Sequence, residues 1–326
     1  MRAAVCHEHG PPDTVRVEEL PSPPLADGQV RVQVAAAAVN FPDVLIVANA
    51  YQIKVPVPFV PGSEFAGVVT EVAGAVDGVT VGDRVSGTGL VGAFAEEVAV
   101  AGVSVTRIPD GVDERNAAAF GVAHRTAFHV LRSVARIEPG DELIVLGAGG
   151  GVGLATVQLG VLLGANVTAV ASSREKLDVA ASYGAANLVD HRAGDLRQAL
   201  RECLPDGADA VVDPVGGNLA EPALRALRWG GRFVSVGFAS GEIPRIPLNL
   251  VLLKGVQVLG FEMLGFVTHA PDELARNEAE LLDLLATGRI VPHIGAAFPL
   301  DDVASALRYV ADGRAIGKVV IDVSTS

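Results

Sequence analysis

Two short stretches carry residue types that could do chemistry on a nucleotide. Ala148-Gly149-Gly150-Gly151-Val152-Gly153 fits A-x-G-x-x-G, with alanine where the usual form has its first glycine. Glycines at that spacing let backbone N–H groups approach a pyrophosphate, and a helix starting there adds partial positive charge. About 20 residues further on, Ala171-Ser172-Ser173-Arg174-Glu175-Lys176 brings two hydroxyls and two cations together. A cofactor with a bare ribose 2′-OH wants Asp or Glu at that place, whereas Ser172, Ser173, Arg174 and Lys176 suit a 2′-phosphate. The expected cofactor is therefore NADPH. Each stretch also has a plainer reading. The first is then a structural glycine turn, and in the second Ser172 or Ser173 caps a helix with an ordinary solvated first turn. Glu175 keeps the choice against NADH open.

These residues need a strand, a turn and a helix to position them. Four apolar residues, 143–146, after Asp141-Glu142 predict a buried parallel strand. Residues 152–163 predict a helix with almost no polar face, and residues 166–171 a second strand. The stretch 143–173 has no Asp, Glu, Lys or Arg and is long enough to span a bilayer. Its glycines, however, cluster at the turn, and its period switches from strand to helix and back. A β-α-β unit explains both features and a membrane span explains neither.

Length and composition bound the remaining possibilities. A chain of 326 residues, half apolar and 19% charged, folds as a globular protein with room for two cores. A net charge of −13 argues against nucleic acid or an anionic membrane as partner. Two cysteines, Cys6 and Cys203, supply neither a disulfide framework nor a four-thiolate zinc site. The first residues hold no apolar run of signal-peptide length, so the expected location is the cytoplasm.

Residues 1 to about 120 alternate as half-buried strands separated by glycine turns, with a proline-rich loop at 20–28, which predicts a compact barrel-like β domain. Residues 116–134 carry apolar side chains at helix spacing. Beyond them strands at 187–190, 208–213, 232–237 and 256–260 alternate with helices near 175–183, 196–203 and 219–228. That alternation predicts an α/β domain with a doubly wound parallel sheet. After residue 260 a helix at 272–286, a strand at 295–298, a helix at 301–311 and a last strand at 317–323 are expected to return to the first domain. The reading divides the chain into a β-rich domain at 1–122, completed by 264–326, and a dinucleotide-binding domain at 123–263.

The order of these parts resembles the medium-chain dehydrogenase/reductase superfamily, and within it the zinc-free quinone oxidoreductase (zeta-crystallin-like) branch. The resemblance is carried by Asn40-Phe41-Pro42-Asp43, Tyr51, the run from Val60-Pro61-Gly62-Ser63-Glu64 to Val69, Val81-Gly82-Asp83-Arg84-Val85, the fingerprint, Asp213-Pro214-Val215-Gly216-Gly217, and the run from Val236 to Gly241. It implies a Rossmann sheet plus a GroES-like barrel. The zinc alcohol dehydrogenases place a cysteine at Asn40 and Gly-His-Glu at Gly62-Ser63-Glu64, and this chain has no four-cysteine lobe. Without thiolate and imidazole a three-ligand zinc cannot be assembled there, so no metal is expected.

The same resemblance marks individual residues. Asn40 would donate its amide to a substrate carbonyl or cofactor hydroxyl, or else bond its own loop. Tyr51 would orient substrate or pass a proton, or else pack the loop. Asp43 would fix the loop. Thr126 in Arg125-Thr126-Ala127 would face the nicotinamide, although Arg125 replaces the family's glycine; His124 beside it reads as structural. His191 and Arg192 would serve the 2′-phosphate. Phe238 would back the nicotinamide or else belong to the core, and Lys318 would reach the cofactor.

The expected activity is zinc-independent hydride transfer from NADPH to a quinone. The alternatives are reduction of an α,β-unsaturated carbonyl, or a non-catalytic NADPH-binding interaction protein. The strand at 256–260 is expected at a sheet edge and, as in relatives, to pair two copies into a homodimer.

Overall fold

The computed structural model describes residues 1–324. By its internal contacts the chain divides into two units, Met1–Val122 with the segment from Val291 onward, and Ala123–Ile290.

The first unit begins with an antiparallel pair, β1 (Arg2–Cys6) and β2 (Val15–Glu19). β3 (Gln29–Val39) is its longest strand, alternating buried valines with more exposed Arg31 and Gln33 until the all-alanine run 35–38. Such alternation is what a strand with one face on a core requires. The helix α1 (Phe41–Val47) follows immediately, with Asn40 as its N-cap and Pro42 in its first turn, where a missing N–H costs nothing. Then come β4 (Glu64–Val72), β5 (Arg84–Thr88), β6 (Glu97–Ala101), β7 (Val105–Arg107) and the helix α2 (Glu114–Phe120).

The second unit opens with α3 (Ala123–His129), which continues into one wide turn at Val130–Val134. Strand and helix then alternate: β8 (Glu142–Leu146), α4 (Gly151–Leu162), β9 (Asn166–Ala171), α5 (Arg174–Ser182), β10 (Asn187–Asp190), α6 (Leu196–Cys203), β11 (Ala208–Asp213), α7 (Ala220–Arg225), β12 (Leu227–Ser235), α8 (Leu248–Lys254) and β13 (Gln257–Gly260). The six strands form one parallel sheet in the order β10-β9-β8-β11-β12-β13. This is the doubly wound α/β fold expected from the alternation. Its helices α9 (Met263–His269) and α10 (Pro271–Ala286) close the unit.

The chain then returns to the first unit as β14 (Ile294–Pro299), α11 (Val303–Ala311) and β15 (Lys318–Asp322). The large sheet there runs β14-β15-β3-β4-β5-β7, with β6 also paired to β3. Its core is built from Val30, Val32, Val34, Phe65, Phe94, Leu307 and Ile321.

One helix and one boundary differ from the sequence reading. The apolar pattern at 116–134 is broken at Gly121 and Val122, between α2 and α3, and the division between the units falls there, at the expected residue. The return to the first unit comes at 291, not at 264. The reason is a polar anchor between α3 and α10. Glu278 Oε1 lies 2.6 Å from Arg125 Nε and 3.0 Å from the fully buried His129 Nε2, and Asn277 Nδ2 donates to Ser133 Oγ at 2.9 Å. Buried polar groups must find partners, and for α10 those partners lie on α3. Among the described residues no helix is long and apolar enough to cross a membrane.

Candidate functional site

In a doubly wound sheet ligands bind beyond the carboxyl ends of the strands, where the strand order reverses. Here that point lies between β8 and β11, and the A-x-G-x-x-G turn leaves β8. The tight turn itself is made by Gly147, at φ +63, a residue ahead of the pattern matched in the sequence. The left-handed conformation thus falls one residue before the place of the usual first glycine, which explains how Ala148, fully buried, is tolerated there. A Cβ on Gly153 would fall 2.0 Å from the Gly147 carbonyl oxygen, so only glycine lets α4 approach the turn. The N–H groups of Gly151, Val152 and Gly153 open α4 and have no acceptor within the helix. These three N–H groups form a backbone cradle suited to an anion, whereas those of Ala148 and Gly150 are bonded to Val170 O and Gly147 O at 3.0 and 2.9 Å.

A group of bases stands beside this cradle. Lys176 lies across the fingerprint, its Cβ and Cγ 2.6 Å from where a Cβ on Gly149 would be. Burial, then the nearby Arg192 guanidinium, hold its ammonium pKa below the ordinary value. His191 is likewise lowered, by burial first and then by Arg192, with Asp190 opposing. Three basic groups therefore crowd one place. Ser173 is the N-cap of α5 and accepts from Lys176 N at 3.4 Å, so the capping and phosphate readings share one hydroxyl, whose hydrogen can still donate. Ser172 precedes it, half-buried. Arg174 turns away along α5, its Nε 2.7 Å from Asp178 Oδ1.

The other expected cofactor contacts of this unit are distributed as follows. Thr126 is half-buried on α3, and the departure at Arg125 is explained by the ion pair with Glu278. His124 meets Gln158 of α4 at 3.0 Å, which is the structural role read for it. Phe238 follows β12 and is 40% exposed, which removes the core alternative for its ring.

The first unit holds a different arrangement. Lys318 and Glu64 form an ion pair at 2.9 Å, 3% and 1% exposed. The Lys318 ammonium also donates to Asn40 Oδ1 at 2.5 Å and Val39 O at 3.5 Å, which uses its three hydrogens. Asn40 Nδ2 donates to Glu64 Oε2 at 3.0 Å, with Ser63 Oγ at 3.3 Å and Ala38 O at 3.4 Å. The other Glu64 oxygen accepts from Val122 N at 2.7 Å. The Lys318 ammonium is thus enclosed by acceptors of its own unit, and both ends of the Asn40 amide are occupied.

Asp43 accepts from Asn40 N at 2.7 Å, fixing the start of α1, the structural role read from the sequence. Burial pushes its carboxyl up to about 7, against the lowering by the Asn40 N–H, Ser63 and Lys318. Tyr51, in the bend after α1, packs partly buried on the β core. Among the described residues no group of three or more His, Cys, Asp and Glu side chains is placed to hold a metal ion. Sequence reasoning passed over Glu64 as a site residue; an acid between Ser63 and the apolar run from Phe65 to Val69 was the available signal.

Comparison with known proteins agrees with this layout. Residues 26–110 match the family model described as alcohol dehydrogenase GroES-like domain, and residues 151–283 that described as zinc-binding dehydrogenase. The chain is 35% identical to a quinone oxidoreductase-like protein 2 homolog of Nematostella vectensis, over 98% of this chain and 88% of that one. It superposes on Escherichia coli quinone oxidoreductase complexed with NADPH with a TM-score of 0.92 at 26% identity, covering 99% and 100% of the two chains. It superposes equally well on an NAD-dependent alcohol dehydrogenase, with a TM-score of 0.91 at 29% identity over 99% and 100%. With its doubly wound sheet, its β-rich GroES-like unit and relatives matched along nearly its whole length, the chain belongs to the quinone oxidoreductase branch of the medium-chain dehydrogenase/reductase superfamily.

Proposed function

We propose that the protein is an NADPH-dependent oxidoreductase that reduces a quinone without a metal. The observation that carries the cofactor choice is the crowding of Lys176, His191 and Arg192 beside the fingerprint, with no acid at the end of β9. Basic groups crowded beside a nucleotide fingerprint favour an added anion, and a ribose 2′-phosphate is such an anion. The likeness to a solved quinone oxidoreductase bound to NADPH supports the same choice.

NADPH, when bound, supplies the hydride. The glycine turn and the first N–H groups of α4 would hold its pyrophosphate, Ser172, Ser173, Lys176, His191 and Arg192 its 2′-phosphate, and Thr126 and Phe238 its nicotinamide end. Asn40 and Ser63 stand where a thiolate and an imidazole would be needed for zinc, and the Asn40 amide is locked to Lys318 and Glu64. An acceptor reduced without a Lewis acid must take hydride readily by itself, as a quinone does. Tyr51 or water would provide the accompanying proton. The enone alternative shares this chemistry and is separated from the quinone by the assay. The two free thiols, Cys6 and Cys203, accord with a cytoplasmic setting.

For the homodimer, the supporting feature is the edge of the six-stranded sheet. Among the described residues β13 pairs only with β12, Val258 is 47% exposed, and in the preceding α8 Leu248, Leu252 and Leu253 are all more than two-thirds exposed. Exposed strand edges next to apolar surface are natural pairing sites. Sedimentation of wild type and Val258→Lys tests this; identical masses for both would remove the edge-pairing reading.

The activity is tested by following oxidation of NADPH and NADH in chelator-treated enzyme, against a quinone panel and an enone panel. Turnover of quinones with NADPH in the presence of chelator is expected. Preference for NADH would overturn the cofactor choice, and tight NADPH binding with no turnover on either panel would favour the non-catalytic alternative.

A further inference from the structure

The turn after β11, Asp213-Pro214-Val215-Gly216-Gly217, faces the fingerprint turn across the point where strand order reverses. Asp213 is fully buried at the carboxyl end of β11. Its Oδ1 accepts from both Val215 N and Gly216 N at 2.8 Å, while its Oδ2 has no hydrogen-bond partner. Gly216 and Gly217 both take positive φ, +70 and +60, so the chain folds back over the carboxyl group. That fold aims two side chains. Val215 Cγ2 sits 2.6 Å from where a Cβ on Gly147 would be, in direct contact with the glycine that makes the fingerprint turn. The Phe238 ring lies 2.9 Å from the corresponding point on Gly216. Ala239 N and Ser240 N donate to Pro214 O and Val215 O at 3.1 and 3.0 Å, tying the turns after β11 and β12 into one piece.

The bases suited to a 2′-phosphate follow β9 and β10, on one side of β8. β11 and β12 lie on the other side. A dinucleotide whose pyrophosphate rests on the turn after β8 therefore extends its nicotinamide half over the turns after β11 and β12.

We propose that Asp213 is a positioning residue for the nicotinamide half of the cofactor: its carboxyl holds the 213–217 turn so that Val215 abuts the fingerprint and Phe238 flanks the reacting ring. The role rests on the dinucleotide reading above. It is new with respect to that reading, because Asp213 acts through the backbone N–H groups of Val215 and Gly216. Removing the carboxyl would leave both N–H groups without an acceptor and let the turn relax away from Gly147.

The test compares binding of NADPH with binding of 2′,5′-ADP, which carries the adenosine half alone, in wild type, Asp213→Ala and Asp213→Asn. Asp213→Ala is expected to weaken NADPH about ten-fold and to lower kcat, while 2′,5′-ADP binds as in wild type. Asp213→Asn keeps the Oδ1 acceptor and is expected to recover most of the loss. Should Asp213→Ala fail to fold, Val215→Ala removes the contact with Gly147 and is expected to show the same split, to a smaller degree. Equal weakening of both ligands would make Asp213 a general support of the sheet and overturn the proposal, as would unchanged NADPH binding. Wild type that binds neither ligand would instead sink the dinucleotide reading on which the proposal stands.

Discussion

The two units each gather charged side chains, and they do so in opposite ways. Around Lys318 the charges are opposite in sign, nearly water-free, and closed: ammonium, carboxylate and amide meet one another's hydrogen-bonding needs. Around Lys176 the basic groups predominate: burial and then the Arg192 guanidinium lower the Lys176 and His191 pKa values, with Glu175 and Asp190 opposing. A closed network is a structural element whose members cannot be removed singly. A cluster in which basic groups predominate is the arrangement proposed above to receive an anion. Sequence inspection treats Lys176 and Lys318 alike, as lysines near a cofactor; their surroundings give them different work.

The largest effect should come from breaking the closed network. Glu64→Gln leaves a buried ammonium without its counter-charge and should destabilise the protein by about 3–5 kcal/mol in urea unfolding. The double variant Glu64→Gln/Lys318→Met should recover much of that loss. If the single variant unfolds like wild type, the pair is not the closed unit described.

A pH dependence tests the same region. Burial raises the Asp43 carboxyl from the ordinary carboxylate range to about 7 in the fold, so the folded state holds the proton more tightly than the unfolded chain. Its contribution to stability is full below the unfolded value and is lost as pH rises through about 7, with a slope of up to about 1.4 kcal/mol per pH unit. Asp43→Asn should flatten the urea midpoint between those limits. An unaltered pH profile in that variant would mean that other carboxyls set it.

The basic cluster should respond in cofactor choice, not in stability. Lys176→Ala/Arg192→Ala should raise the KM for NADPH about ten- to a hundred-fold, leave NADH unaffected, and unfold at nearly the wild-type urea concentration. Equal losses with the two cofactors would refute the 2′-phosphate site. The smallest effect is expected at Arg174, which is 78% exposed and turned onto Asp178. Arg174→Ala should change the KM for NADPH less than about three-fold and stability by no more than about 0.5 kcal/mol. A larger effect on KM would return Arg174 to the phosphate site.

How far the sequence could be read depends on how far apart the interacting residues lie. The strand, glycine turn and helix at 142–162 are set by neighbours a few residues apart, and the pattern showed them, with the tight turn displaced by one residue to Gly147. The helices α1, α8 and α9 went unread because seven residues give too short a period to distinguish from a loop. The bond from Lys318 to Asn40 joins residues 278 apart, and no local pattern signals it. The return at 291 was missed for the same reason, since the partners of Glu278 are Arg125 and His129, about 150 positions earlier in the chain.

The sequence by itself determined the doubly wound fold, the nucleotide fingerprint and the family, because these follow from hydrophobic period and from glycines that only a particular turn demands. Tertiary structure alone decided what each polar residue does. It enclosed Lys318 and Asn40, brought Lys176, His191 and Arg192 together beside the fingerprint, and set Asp213 beneath the turn opposite it. The physical reason is that a charge takes its role from its distance to other charges and from the water around it, and both are made by contacts between residues remote in the chain.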